Sequence, residues 1–214
     1  MPKQTFFNLP EEKRERLIHA AIEEFAGNPF QKAVIDNITK KAGISKGSFY
    51  QYFENKEDIY RYLFESISID KTRHLHLLLR EMNHIKFSTF IRRFYEAGVD
   101  FEYTQEEYEA FHKRFLLNCS KELRDEILET LTPQSNQLFE TVLSFYKENG
   151  ELKEDLDISF TAEMLTALTM FISTRTMAGN ALDRKAEVTN AIEGLLRIIE
   201  TGIKTDLNDK TMEE

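Results

Sequence analysis

From Leu17 to Ile203 the apolar residues of this chain return every three or four positions, the period of an α-helix. Nowhere do they alternate as a half-buried strand requires. Punctuation is sparse as well: 8 Gly and 4 Pro in 214 residues are too few for the turns of a sandwich or barrel. The chain is expected to be all-α. Its length suits one large domain or two small ones, and at 41% hydrophobic it can bury a real core. A single Cys excludes an intramolecular disulfide framework, so a reducing cytoplasm is the expected compartment. Met1-Pro2-Lys3-Gln4 lacks the apolar core of a signal peptide. The stretch from Met164 to Thr174 is too short to span a bilayer, so no membrane partner is expected.

Charge divides the chain. The net charge is −9, which at face value argues against a nucleic-acid partner. Residues 1–56, however, carry nine Lys and Arg against seven Asp and Glu, a net +2, leaving −11 for the rest. From Phe30 to Lys56 five lysines face only Asp36 and Glu54. A basic head on an acidic body favours contact with a polyanion, although on charge alone ordinary surface variation is the preferred reading.

The head reads as three helices. Pro10 with Glu11, Glu12 and Glu15 starts the first, because Pro suits a first turn and acids suit the positive end of the helix dipole. Leu17, Ile18, Ala21, Ile22 and Phe25 form its apolar stripe, and Gly27-Asn28-Pro29 ends it. Ile35, Ile38 and Ala42 mark a short second helix, closed by Gly43, which can take the positive φ of a tight helix–helix turn. Ser45 is a suitable N-cap for a third helix running from Lys46 to Phe53. At about 100° per residue, Phe49 and Phe53 share its inner face, while Gly47, Ser48, Tyr50 and Gln51 point broadly outward. Gly47 and Ser48 let the backbone approach DNA, and Gln51 can offer two hydrogen bonds to a base edge. Lys46, Tyr50, Tyr52 and Lys56 are placed to reach phosphates.

The run Ile38-Thr39-Lys40-Lys41-Ala42-Gly43-Ile44-Ser45-Lys46-Gly47-Ser48-Phe49-Tyr50-Gln51-Tyr52-Phe53, followed by Asn55-Lys56-Glu57, resembles the DNA-binding signature of TetR-type transcriptional regulators. The resemblance covers roughly residues 10–65. It implies DNA contacts at Ser45, Lys46, Gly47, Ser48, Tyr50 and Tyr52, and a phosphate contact at Lys56. Three positions depart from the pattern. Val34 replaces the usual Ser or Thr cap, so the second helix is expected to start on water or on Asp36. Thr39 replaces a common Ala, with a hydroxyl that can touch a phosphate or simply pack. Pro29 replaces the usual Gly before the aromatic Phe30.

The remainder reads as a larger helical body, with residues 1–56 as the helix-turn-helix head and 57–214 as effector-binding and dimerisation domain. Asn55 and Asp58 resemble a capping box for a fourth helix reaching about residue 80. Further helices are expected at roughly 86–103, 105–118, 121–131, 134–148, 157–178 and 184–204. The last two are apolar at Met164, Leu168, Phe171, Ile172, Ile192, Leu195, Leu196 and Ile199, which either closes an intramolecular bundle or, as the resemblance implies, builds a homodimer. The homodimer would bind a pseudo-palindromic double-stranded operator. The resemblance further implies a small-molecule effector in the body. Most of its many rings are core, with Phe94, Phe111, Phe115, Phe139 and Leu168 as candidates to line a pocket for an apolar or aromatic ligand. A body that docks a protein partner instead is the alternative.

No cofactor, metal or catalytic site is expected. His74 and His76 diverge by about 200° on one helix, and no Cys or carboxylate stands at a recognised metal-ligand spacing from His84 or His112. Cys119 reads as a small packed residue rather than a redox sensor. No phosphate-cradling glycine loop or nucleophile elbow is present, so an enzyme is the minority reading.

Overall fold

The computed structural model describes residues 1–103, 106–178 and 181–202, and contains helices and no strand among them. Ten α-helices follow one another: α1 (Gln4–Phe7), α2 (Glu11–Gly27), α3 (Ile35–Ala42), α4 (Lys46–Tyr52), α5 (Lys56–Glu81), α6 (Phe87–Tyr103), α7 (Glu106–Asn118), α8 (Lys121–Glu148), α9 (Ile158–Ala178) and α10 (Ala181–Gly202). A 3₁₀ turn at Met82–His84 separates α5 from α6. No helix among the described residues is long and apolar enough to cross a membrane.

The chain divides into two compact units, one of residues 1–73 and 100–131, the other of 74–99 and 132–214. In the first, Leu17, Ala21, Ile22 and Phe25 of α2, Ile38 and Ala42 of α3, Phe49 of α4 and Phe53 at its end are all essentially inaccessible to solvent. Ile59, Tyr60 and Leu63 of α5 and Phe111 and Phe115 of α7 are buried in the same unit. Arg114 of α7 donates to the Ala26 and Gly27 carbonyls at 3.3 and 3.5 Å, supplying the C-terminal end of α2 with donors that a helix end lacks. The second unit has its own core, built from Phe87, Phe90 and Ile91 of α6, Phe139, Val142, Leu143 and Tyr146 of α8, and Ala162, Leu165, Ile192, Leu195, Leu196 and Ile199 of α9 and α10.

Two expectations about elements need correction. The break between 131 and 134 does not occur: α8 is one helix with Pro133 inside it. Pro removes one amide donor and crowds the preceding turn, yet the helix runs on through it, with Leu123 and Ile127 buried before it and Phe139, Val142 and Tyr146 buried after it. The other concerns the start of α3. Neither Asp36 nor any side chain of the Val34 cap position serves it; the Glu24 carboxylate of α2 reaches across to accept from the Val34 amide at 2.9 Å and the Asn37 amide group at 3.2 Å. His74 and His76 have side chains outside the described set.

Candidate nucleic-acid interface

The turn between α3 and α4 sets the geometry. Gly43 has φ 67°, a conformation nearly free for glycine and costly for a residue with a Cβ. The Gly43 and Ile44 amides return to the Lys40 and Thr39 carbonyls at 3.3 and 3.0 Å, closing α3 in a Schellman-type cap. The chain then turns at once into α4, where Ser45 caps the start by accepting from the Ser48 amide at 3.0 Å.

On α4 the outward residues are Lys46, Gly47, Tyr50 and Gln51, all exposed, with Ser48 half-buried and Ser45 exposed at the cap. Lys46 pairs with Asp36 at 2.7 Å, and that hydrogen bond and charge raise its pKa. An exposed pair of this kind is weak and exchangeable, so the ammonium is available to a stronger anion. Gly47 is informative because nothing in the fold requires it: a Cβ there would meet only Ser45 Oγ, at an ordinary 3.7 Å. Glycine inside a helix costs about 1 kcal/mol relative to alanine. A position that bears this cost without an internal steric reason is one that leaves room for something outside the protein.

Three of the residues singled out from sequence lie elsewhere. Tyr52 is 7% exposed, on the inner face with Phe49 and Phe53, since residues three and four apart share a helix face. Thr39 is 5% exposed and donates its hydroxyl to the Asp36 carbonyl at 3.1 Å, so of its two readings the packed one describes it here. Lys56 turns back into the head. Its ammonium donates to the carbonyls of Phe30, Gln31 and Ala33 at 2.6, 3.4 and 2.8 Å and lies 4.7 Å from the Phe30 ring centroid. Burial lowers its pKa, with the charge of Glu24 opposing. All three ammonium protons are therefore engaged, and Lys56 would have to release one to reach a phosphate.

Sequence reasoning missed Glu24 and the short helix α1. Glu24 is buried with its carboxylate on the backbone of the next helix, and only the missing cap at Val34 signals that a partner must come from elsewhere. The start of α5 follows expectation: Asn55 Oδ1 accepts from the Asp58 amide at 2.8 Å, and the Asp58 carboxylate accepts in return from the Glu54 amide at 3.1 Å.

The pocket candidates do not form one group. Phe111 and Phe115 pack on Phe64 in the first unit, with ring centroids 4.5 and 4.2 Å away. Phe94, Phe139 and Leu168 belong to the second, where Phe94 and Phe139 are 5.0 Å apart. A cleft of about 320 Å³ in that second unit is lined by other residues, among them Met82, His84, Lys86, Phe145 and Glu151. Asn136 Oδ1 and Thr166 Oγ1, also in this unit, are buried and have no hydrogen-bond partner among the described residues. Half-buried Cys119 has its thiol pushed up in pKa by burial, against the Tyr60 hydroxyl, the reverse of what a reactive thiolate needs.

On α9 and α10 the apolar residues separate into two sets. Ile172, Ile192, Leu195, Leu196 and Ile199 are buried within the unit, and Leu168 packs partly against that core. Met164 and Phe171 instead stand out at 46% and 59% exposed, in line with Phe160 at 61%. These three and exposed Ala167 repeat at helical spacing. On α10, Ile198 is 64% exposed one turn beyond exposed Gly194, where a Cβ would meet nothing within 4 Å.

Known proteins resemble this arrangement. Residues 17–63 match the family model of bacterial regulatory proteins, tetR family. The fatty acid metabolism regulator protein of Bacillus subtilis is 27% identical over 209 residues, covering 89% of this chain and 95% of its own. A TetR family transcriptional regulator from Chloroflexus aurantiacus superposes with a TM-score of 0.60 at 28% identity, over 96% of this chain and 100% of its own. The transcriptional regulator FadR of Bacillus subtilis, solved in complex with stearoyl-CoA, superposes with a TM-score of 0.68 at 22% identity, over 88% and 98%. The last shares the fold.

Proposed function

This chain belongs to the TetR-type transcriptional regulators, and we propose that it is a repressor that binds a pseudo-palindromic operator as a homodimer and lets go when a small effector occupies its body. Residues 1–56 form the DNA-binding head and 57–214 the effector-binding and dimerisation domain in this reading. The observation that carries it is Gly47, exposed at the start of α4 with no steric reason inside the fold. The reading surface comprises Ser45, Lys46, Gly47, Ser48, Tyr50 and Gln51. Lys46 and Tyr50 hold phosphates, and Gln51 meets a base edge. Thr39, Tyr52 and Lys56 support that surface from behind.

The stripe of Phe160, Met164, Ala167 and Phe171 supports the homodimer: it repeats at helical spacing along α9, is apolar, and is exposed in one protomer. Its other half is a second copy, because a two-fold protein needs a self-complementary patch.

The effector we propose is a long-chain acyl thioester. Two observations support that class: the fatty acid regulator of Bacillus subtilis aligns along nearly the whole chain, and the second unit is rich in apolar and aromatic side chains. Asn136 Oδ1 and Thr166 Oγ1 are buried acceptors that a ligand N–H or O–H would complete. The effector acts by preferring the arrangement whose paired recognition helices no longer fit the operator. Stearoyl-CoA, added to the full chain bound to a duplex that it selects, is expected to release the DNA and to raise the thermal midpoint of the free protein. At a hundred times its dissociation constant the stabilisation would be about 2.7 kcal/mol. Free coenzyme A is expected to do neither. No release and no shift with any acyl chain length would reject the effector class and favour a protein partner.

A further inference from the structure

The recognition helix α4 is seven residues long, far below the length at which a helix sustains itself in water. Its Phe49 carbonyl accepts from the Phe53 amide at 2.9 Å, but the Tyr50, Gln51 and Tyr52 carbonyls beyond it are helix-end acceptors that need partners from elsewhere. One segment more than forty residues upstream supplies all three. Lys3 Nζ donates to the Tyr50 carbonyl at 3.1 Å, the Thr5 hydroxyl donates to the Gln51 carbonyl, and the Lys3 amide donates to the Tyr52 carbonyl at 2.8 Å. The segment is itself anchored. Phe6 is fully buried, with ring centroids 4.9 Å from Phe53 and 5.1 Å from Tyr62.

We propose that residues 3–6 are a clamp on the C-terminal end of the recognition helix, and that Lys3 and Thr5 are positioning residues for sequence reading that need not touch DNA themselves. The inference rests on the DNA-reading role proposed for α4. The residues whose carbonyls the clamp holds include Tyr50 and Gln51, both exposed and both part of the proposed reading surface. A bidentate contact to a base edge depends on placement to within a fraction of an ångström, whereas phosphate attraction does not. Loosening the end of α4 therefore degrades discrimination before it degrades general affinity.

The test uses the full chain with Thr5→Val, which keeps shape and charge but removes the donor, and Thr5→Ser, which restores it. Two probes are compared: a duplex selected by the unaltered chain from a random-sequence library, and a scrambled duplex of the same length. Thr5→Val is expected to weaken binding to the selected duplex about fivefold, the loss of one typical hydrogen bond. Binding to the scrambled duplex should be unchanged, and Thr5→Ser should recover the difference. Amide hydrogen exchange at Tyr52 and Phe53 should quicken in Thr5→Val and in Lys3→Met, while the Ala21 amide in α2 stays protected. Unchanged selected-duplex affinity overturns the positioning role, whether or not exchange quickens, and so does an equal loss on both duplexes. Should the unaltered chain prefer no sequence, the DNA reading falls instead. The exchange rates then decide the clamp alone: unchanged protection at Tyr52 and Phe53 overturns it.

Discussion

Replacing Gly47 by alanine is expected to remove most of the chain's sequence-specific affinity for DNA while leaving the head at least as stable as before. The second half of this result follows from the fold. The added methyl meets only Ser45 Oγ, at 3.7 Å, and alanine is the better helix former by up to about 1 kcal/mol. The first half follows from the surface. If the α4 backbone at Gly47 lies against a phosphate or a groove wall, a Cβ forces the helix outward. Overpacking of one methyl costs typically 1–3 kcal/mol, which is roughly ten- to hundredfold in affinity. Denaturant unfolding and fluorescence anisotropy on a selected duplex measure the two halves separately. A variant that is stabilised and binds as before would show that glycine here serves neither the fold nor the DNA.

A charge placed on the apolar stripe of α9 is expected to have a comparable or larger effect by another route. Met164→Glu with Phe171→Glu puts two carboxylates on side chains that are already 46% and 59% exposed, so the protomer should fold normally. Paired across a two-fold axis they would desolvate like charges against each other, which an apolar interface cannot absorb. The variant should sediment as a monomer of about the chain mass, 25.2 kDa, and the unaltered protein is expected to sediment at twice that. Each head would then bind a half-site alone. Losing the linked second half-site should weaken operator binding by roughly 10²- to 10⁴-fold. A variant that remains dimeric would move the interface elsewhere, to helix faces other than those of Phe160, Met164, Ala167 and Phe171.

What could be read without coordinates depended on how local the cause was. The turn at Gly43, the Ser45 cap and the Asn55–Asp58 cap of α5 are decided within a few residues, and each stands where sequence places it. The boundaries of α5 and α9 also lie within a residue or two of the periodic pattern. Pro133 misled, because a local helix breaker was overruled by burial on both sides of it. Tyr52 and Lys56 misled for a different reason. A tyrosine and a lysine suit a phosphate contact by chemistry, but Tyr52 lies one helical turn from Phe49, and Lys56 finds three carbonyls in the loop after α2. Neither the Glu24 cap nor the clamp at Lys3 and Thr5 has a signature in sequence, since donor and acceptor meet only after folding. The dimer candidates lay in between. Periodicity identified α9 and α10 as apolar, and only the packed unit separated the buried Ile192, Leu195, Leu196 and Ile199 from the exposed Met164 and Phe171.

The charge asymmetry fits the same account. In the proposed reading, residues 57–214 at −11 would repel indiscriminate contact with DNA, while residues 1–56 at +2 would leave attraction where α4 lies. That α4 reads sequence from a two-fold protein is tested most directly by selection of duplexes from a random library by the purified full chain. The expected result is one enriched pseudo-palindrome whose half-site centres are separated by about one helical turn of DNA, 10–10.5 bp, or a multiple of it, and whose enrichment is lost with Gly47→Ala. A library that emerges without an enriched sequence, or one whose enrichment survives that substitution unchanged, would contradict it.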